Sequence, residues 1–158
     1  METQRLIIDA LTPADAAFIF ALTNSPGWLQ FIGNRNITDH AAATAYILRI
    51  LDDTSVQYFV VRLKTDMQPL GVITIIRRDR LPCPDIGFAF LPRYEGAGYA
   101  REAATAVLAQ LRLQYGRLCA ITLPDNHRSV KLLEALGFTF VRRQKDTGSV
   151  VALYMLPA

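Results

Sequence analysis

The chain is poor in the features that mark several protein classes. It has only two cysteines, Cys83 and Cys119, and two histidines, His40 and His127, in 158 residues. Two cysteines exclude a disulfide framework and a four-cysteine zinc site. The histidines lie far apart and share no metal-ligand spacing, so no metal is expected and both read as surface residues near helix starts. No run of about 18 apolar residues exists, which leaves no membrane span. Acids at Glu2, Asp9 and Asp15 interrupt the opening twenty residues, so no signal peptide is read there. A cytoplasmic protein follows as the expectation. Both cysteines then read as small buried hydrophobes, a single bridge between them being the alternative. Lys and Arg number 17 against 14 Asp and Glu, a net charge of +3. That is too mild to indicate nucleic acid.

The composition is globular, with 51% hydrophobic and 20% charged residues, which excludes disorder. At this length folding hides roughly 68–70% of the unfolded surface, enough for a core without staples. One domain, 1–158, is expected, with no repeats or linkers.

Local patterns alternate. Leu6–Ile8 reads as a first strand. Thr12-Pro13-Ala14-Asp15 opens a helix, with Thr12 as cap and Pro13 in the first turn. Asn24-Ser25-Pro26-Gly27 ends it. A second helix starts at Thr38 or Asp39, its stripe being Ala43, Tyr46, Ile47, Ile50 and Leu51. Strands are read at 58–63, 70–76 and 85–91. The strongest helix is Tyr99–Tyr115, where Ala100, Ala103, Ala104, Val107, Leu108 and Leu111 fall on one face. A strand at 118–123, a short helix at 129–136 and strands near 138–144 and 149–156 complete the order. The result is a mixed α/β sheet carrying helices.

The segment Asp85 to Ala100 is the most informative. It runs from a strand through a glycine loop into the long helix. Gly96 and Gly98 let backbone N–H groups crowd at a helix N-terminus, which suits a phosphate. Arg93 can add a charged fork. A dinucleotide fingerprint would need glycine at Arg101, and a nucleotide P-loop would need Lys and Ser/Thr at Tyr99 and Ala100. Both fail. A plain strand-to-helix turn is the competing reading. Alternation puts Asp85, Gly87, Ala89 and Leu91 on one strand face and Ile86, Phe88 and Phe90 on the other. The first face is small enough for a ligand to lie against it.

Arg93-x-x-Gly96-x-Gly98-Tyr99-Ala100, after Ile86-Gly87-Phe88 and Leu91-Pro92, resembles the acyl-CoA motif of the GNAT superfamily of N-acetyltransferases. The segment 124–138, from Pro124-Asp125-Asn126 to Leu136-Gly137-Phe138, resembles that family's second conserved region. Its Asn-x-x-Ser form is similar to the RimJ/RimL-like branch. The resemblance implies a GNAT-like fold: a mostly antiparallel sheet with a splayed parallel strand pair and flanking helices. It implies acetyl-CoA as co-substrate, its pantetheine beside Phe90 and Leu91. The pyrophosphate would lie on the N–H groups of Gly96, Ala97, Gly98, Tyr99 and Ala100, beside Arg93. Asn126 would meet the pantetheine arm, with a helix cap as its other reading. Lys131 would reach a phosphate or sit solvated.

The implied reaction is attack by a primary amine on the thioester, which needs a base, an oxyanion donor and an acid. Asp85 is the candidate base, acting through water or with a raised pKa. Its other reading is a strand-start residue beside Pro84. Glu95 and Glu102 are weaker rivals. A backbone N–H near Phe90 or Leu91 is the expected oxyanion donor. Many relatives carry a Tyr where this chain has Leu133, and Ser129 is the candidate acid instead, or only a helix-start hydroxyl. The acceptor pocket is expected along 27–35, with Trp28 and Phe31 as substrate contacts or as core, and Arg35 nearby. The acceptor is a peptide N-terminus or a small-molecule amine. A catalytically weak acyl-CoA-binding module is the alternative. A monomer or homodimer is expected, with no membrane partner.

Overall fold

The computed structural model describes residues 1–158. Seven strands form one sheet in the order β1-β2-β3-β4-β5-β7-β6. They are β1 Leu6–Ala10, β2 Val56–Leu63, β3 Pro69–Ile76, β4 Asp85–Phe90, β5 Leu118–Thr122, β6 Thr139–Asp146 and β7 Ser149–Leu156. The helices are α1 Ala16–Thr23, α2 Pro26–Phe31, α3 His40–Asp52, α4 Tyr99–Tyr115 and α5 His127–Ala135. All strand pairs are antiparallel except β4 with β5. The mixed sheet with one parallel pair is therefore as expected.

Each sheet face has its own core. Strand alternation sends Ile73, Ile75 and Ile86 to one side and Val60 and Val72 to the other. The first side packs on α4 and α5 through Ala103, Ala104, Val107, Leu108, Leu111 and Leu133. The second packs on α1, α2 and α3 through Phe18, Ile19, Leu22, Trp28, Ala43 and Ile47. Each fully buried Leu or Val is worth about 1.5–3 kcal/mol, so the apolar stripe on α4 holds that helix firmly to the sheet.

Three sequence readings need correction. Ser25-Pro26-Gly27 does not only end a helix: Pro26 starts α2. Proline suits a first turn, whose N–H is free anyway. Leu51 is 50% exposed and lies off the buried face of α3. Cys83 and Cys119 are bonded to each other, their Cα atoms 5.8 Å apart. The parallel pairing explains the bond. Asp85 sits opposite Cys119, and Cys83 is two residues before Asp85. The Cys119 N–H also donates to the Pro84 carbonyl at 2.8 Å.

Asp85 opposite Cys119 is the one paired position between β4 and β5. Beyond it the strands diverge, and the edge of β4 is left open. The Leu91 N–H donates to the Leu70 carbonyl at 2.8 Å. Antiparallel pairing alternates direction, so the N–H groups of Phe90 and Phe88 point the other way, into the splay.

Candidate active site

A cavity of about 910 Å³ fills the splay and runs on between the sheet and α2. The whole of β4 borders it, as do Gly96, Gly98, Tyr99, Ala100, Asn126, Ser129, Trp28 and Phe31. The two ends of the chain's chemistry, the glycine loop and the acceptor segment, thus open onto one space.

The loop end is built for an anion. Gly96 and Gly98 both have φ of +82°, a conformation that glycine adopts without a Cβ clash. The backbone N–H groups from Gly96 to Arg101 make no hydrogen bond within the protein. Six free donors at the start of a 17-residue helix form an anion cradle. The N-terminal strand braces it. Arg5 donates to the Ala97 carbonyl at 3.0 Å and to Glu102 at 2.7 Å, and lies 4.3 Å over the Tyr99 ring. Thr3 adds a bond to Glu102 at 2.7 Å. Burial opposes ionisation of Glu102, but the bonds from Thr3 and Arg5 and the Arg5 charge outweigh it and hold the carboxyl below its ordinary value. Glu102 is thus a brace. Glu95 is paired with Arg128 of α5 at 3.2 Å, so its charge is matched at the loop.

Arg93, Leu91, Ala97 and Lys131 do not border the cavity. Arg93 stacks on Tyr94. Leu91 is buried in the second core and its N–H is taken by Leu70, so of the two expected oxyanion donors only Phe90 faces the splay. Asn126 caps α5, accepting from the Ser129 N–H at 3.3 Å, while its side-chain amide N–H groups have no partner in the protein. The Ser129 hydroxyl makes no hydrogen bond within the protein and borders the cavity. Leu133, at 1% exposure, is core.

Asp85 is 4% exposed. It accepts from Arg78 Nε at 2.9 Å and from the Ile121 N–H at 3.3 Å, so it also ties β4 to β5. Burial pushes its carboxyl up to about 6, against the pull of Arg78 and Ile121, with Asp146 adding repulsion. The small face of β4 is partly occupied: a Cβ on Gly87 would meet Thr74 Oγ1 at 2.6 Å. Glycine there makes room for Thr74, itself on the cavity wall.

Sequence reasoning missed Arg5, Tyr58, Arg78, Arg128 and the β6–β7 turn at Asp146 and Thr147. The β3–β4 register, which pairs Ile76 with Asp85, is the signal that would have placed Arg78 beside Asp85.

A splayed parallel pair, an open strand edge and an anion cradle at the next helix define an acyl-CoA transferase scaffold of the GNAT type. Residues 5–139 match the family model of the acetyltransferase (GNAT) domain, and the chain belongs to that family. It is 27% identical over 136 residues to the acetyltransferase PseH of Campylobacter jejuni, covering 86% of this chain and 84% of that protein. The structure of ribosomal-protein-S5-alanine acetyltransferase from Vibrio fischeri superposes with a TM-score of 0.84 at 19% identity, covering 99% of this chain and 95% of that one. Spermidine N-acetyltransferase from Vibrio cholerae, in complex with CoA and spermine, superposes at 0.81 with 17% identity, covering 98% and 96%. At such identities both structures speak for the fold. No helix is long and apolar enough to cross a membrane.

Proposed function

We propose that the whole chain acts as one domain that moves an acetyl group from acetyl-CoA to a primary amine by direct attack on the thioester. The carrying observation is the run of six unpartnered N–H groups, Gly96 to Arg101, opening onto the cavity that also holds Asp85 and Ser129. The cradle fits a pyrophosphate, and the open edge of β4 fits an amide-bearing arm added like a strand. The Asn126 amide, whose N–H groups have no protein partner at the cavity wall, supports the same arm's binding there.

The thioester supplies an activated acyl carbon, and the chain supplies the rest. Asp85, with its carboxyl near 6, is ionised at neutral pH and takes the ammonium proton through a water. The Phe90 N–H faces the splay and stabilises charge on the attacked carbonyl oxygen. Ser129 relays a proton to the departing thiolate and takes in turn the second proton that the nitrogen loses on attack. Trp28 and Phe31 form the aromatic wall of the acceptor end.

The test is mass-spectrometric detection of acetylated product with free CoA release, across peptides with free N-termini and small amines. Equal amounts of both products establish the reaction. Binding of acetyl-CoA without transfer to any amine would favour a binding module, which the buried Leu133 in place of a tyrosine would suit. No binding at all would leave the loop as a turn.

A further inference from the structure

The charge around the acceptor end carries a statement about the acceptor, resting on the acyl-transfer reading above. Three carboxylates border the cavity: Asp85, Glu95 and Asp146. Each is matched by an arginine. Arg78 holds Asp85 at 2.9 Å, Arg128 holds Glu95 at 3.2 Å, and Arg80 holds Asp146. No acid is left over to receive a second ammonium group. Two arginines border the cavity without any acid partner, Arg35 and Arg101. Arg101 sits in the first turn of α4, beside the anion cradle. Arg35 lies on the segment joining α2 to α3, on the acceptor side.

Nothing in the protein cancels the Arg35 charge. Arg35 and Arg78 both act on the Tyr58 hydroxyl, yet burial pushes that hydroxyl far up and keeps it neutral. Its bond goes to the Tyr46 hydroxyl at 3.1 Å. On the same wall Trp28 is 4% exposed, and its indole N–H is the one buried side-chain polar atom with no hydrogen-bond partner. A buried donor without an acceptor is costly. Arg35, exposed at the cavity and unpaired, calls for an oxygen-bearing anion, whereas the Trp28 N–H lies inside the protein, shielded from solvent.

We infer that the acceptor is a primary amine whose body also carries a carboxylate or a phosphate, and that Arg35 receives that anion. Polyamines are poor acceptors on this view. They would meet the unpaired Arg35 and find no free acid.

The experiment is a matched panel at fixed saturating acetyl-CoA: ethanolamine against O-phosphoethanolamine, β-alanine amide against β-alanine, and spermidine. Calorimetry of acetyl-CoA, and of each anionic amine on CoA-loaded protein, runs beside it. One or both anionic members should exceed their neutral partners in kcat/KM by roughly tenfold or more, mostly through KM, as a charged hydrogen bond allows. The two pairs separate phosphate from carboxylate. Arg35→Ala should bring the anionic-to-neutral ratio close to one without changing acetyl-CoA affinity, and Arg35→Lys should keep part of the ratio. Absence of acetyl-CoA binding would overturn the acyl-transfer reading and this inference with it. With acetyl-CoA bound and at least one amine turned over, three results overturn this inference alone: equal or better use of neutral amines or spermidine, a preference that survives Arg35→Ala, or no turnover of either anionic member. Acetyl-CoA binding with no amine turned over overturns the acyl-transfer reading as well.

Discussion

Asp85→Asn separates two quantities that should run in opposite directions with pH. Burial raises the Asp85 carboxyl from 3.8 to about 6. At roughly 1.36 kcal/mol per pH unit, that rise is worth about 3 kcal/mol. The sign follows from proton binding. Between pH 4 and 6 the folded state holds a proton at Asp85 that the unfolded chain has already lost. The group therefore contributes stability in full below about pH 4, and loses it as pH rises through about 6. Activity should do the reverse. Asp85 must be ionised to take a proton, so kcat/KM for the amine should climb tenfold per pH unit below about 6. It should then level off until the amine itself titrates.

Two measurements on wild type and Asp85→Asn check this. Urea denaturation at pH 4, 5, 6, 7 and 8 gives the stability difference between them at each pH. That difference should shift by roughly 2 kcal/mol in favour of the variant between pH 4 and pH 7. Other titrating groups, such as Glu102, cancel in the comparison. The rate profile of the variant should lack the break near pH 6 and rise steadily with the free-amine fraction, with kcat/KM at pH 7 lower by about a hundredfold or more. A break at pH 6 that persists in Asp85→Asn would refute the base assignment. Parallel stability curves for the two proteins would refute the burial argument itself.

Gly98→Trp should abolish acetyl-CoA binding in calorimetry with the circular dichroism spectrum unchanged, because φ of +82° at the helix cap disfavours any side chain and the ring would fill the cradle. Gly71→Ala should lower stability by about 1–3 kcal/mol, read as a fall in Tm, since its Cβ would lie 2.5 Å from the Ala89 carbonyl oxygen and 2.6 Å from the Phe90 ring. Reducing the Cys83–Cys119 bridge, or replacing both residues with serine, should cost about 4 kcal/mol for a loop closed over 36 residues. Denaturation with and without reductant measures it.

What was legible in the sequence was what is local. Alternation along Asp85–Phe90 and the 3.6-residue stripe of α4 each report on their own element, and α4 begins and ends where its glycines say. The loop between them was legible for the same reason: Gly96 and Gly98 need only their own φ values to expose N–H groups. The acceptor end was not. The partners of Asp85 come from just beyond β3 and from β5, at Arg78 and Ile121. The space over Gly87 is set by Thr74 across the β3–β4 pair. The cysteine bond depends on a parallel register that no nearby residue specifies.

This division has a physical origin that bears on the function. A phosphate is held by backbone donors and a helix dipole, and both follow from a short stretch of chain. An acceptor is selected by side chains converging from separate elements. Here these are Trp28 and Arg35 from around α2, Tyr58 from β2 and Arg78 beyond β3. Their charges can change one at a time without disturbing the loop that binds the common co-substrate. The matched pairs Arg78–Asp85, Arg128–Glu95 and Arg80–Asp146 leave Arg35 as the unmatched charge at that end. A single substitution there, such as Arg35→Glu, should invert the charge offered to the acceptor. It should move preference from anionic towards cationic amines while acetyl-CoA affinity holds. A selectivity that follows this charge reversal would place acceptor choice in Arg35. A selectivity indifferent to it would assign that choice to the shape of the aromatic wall.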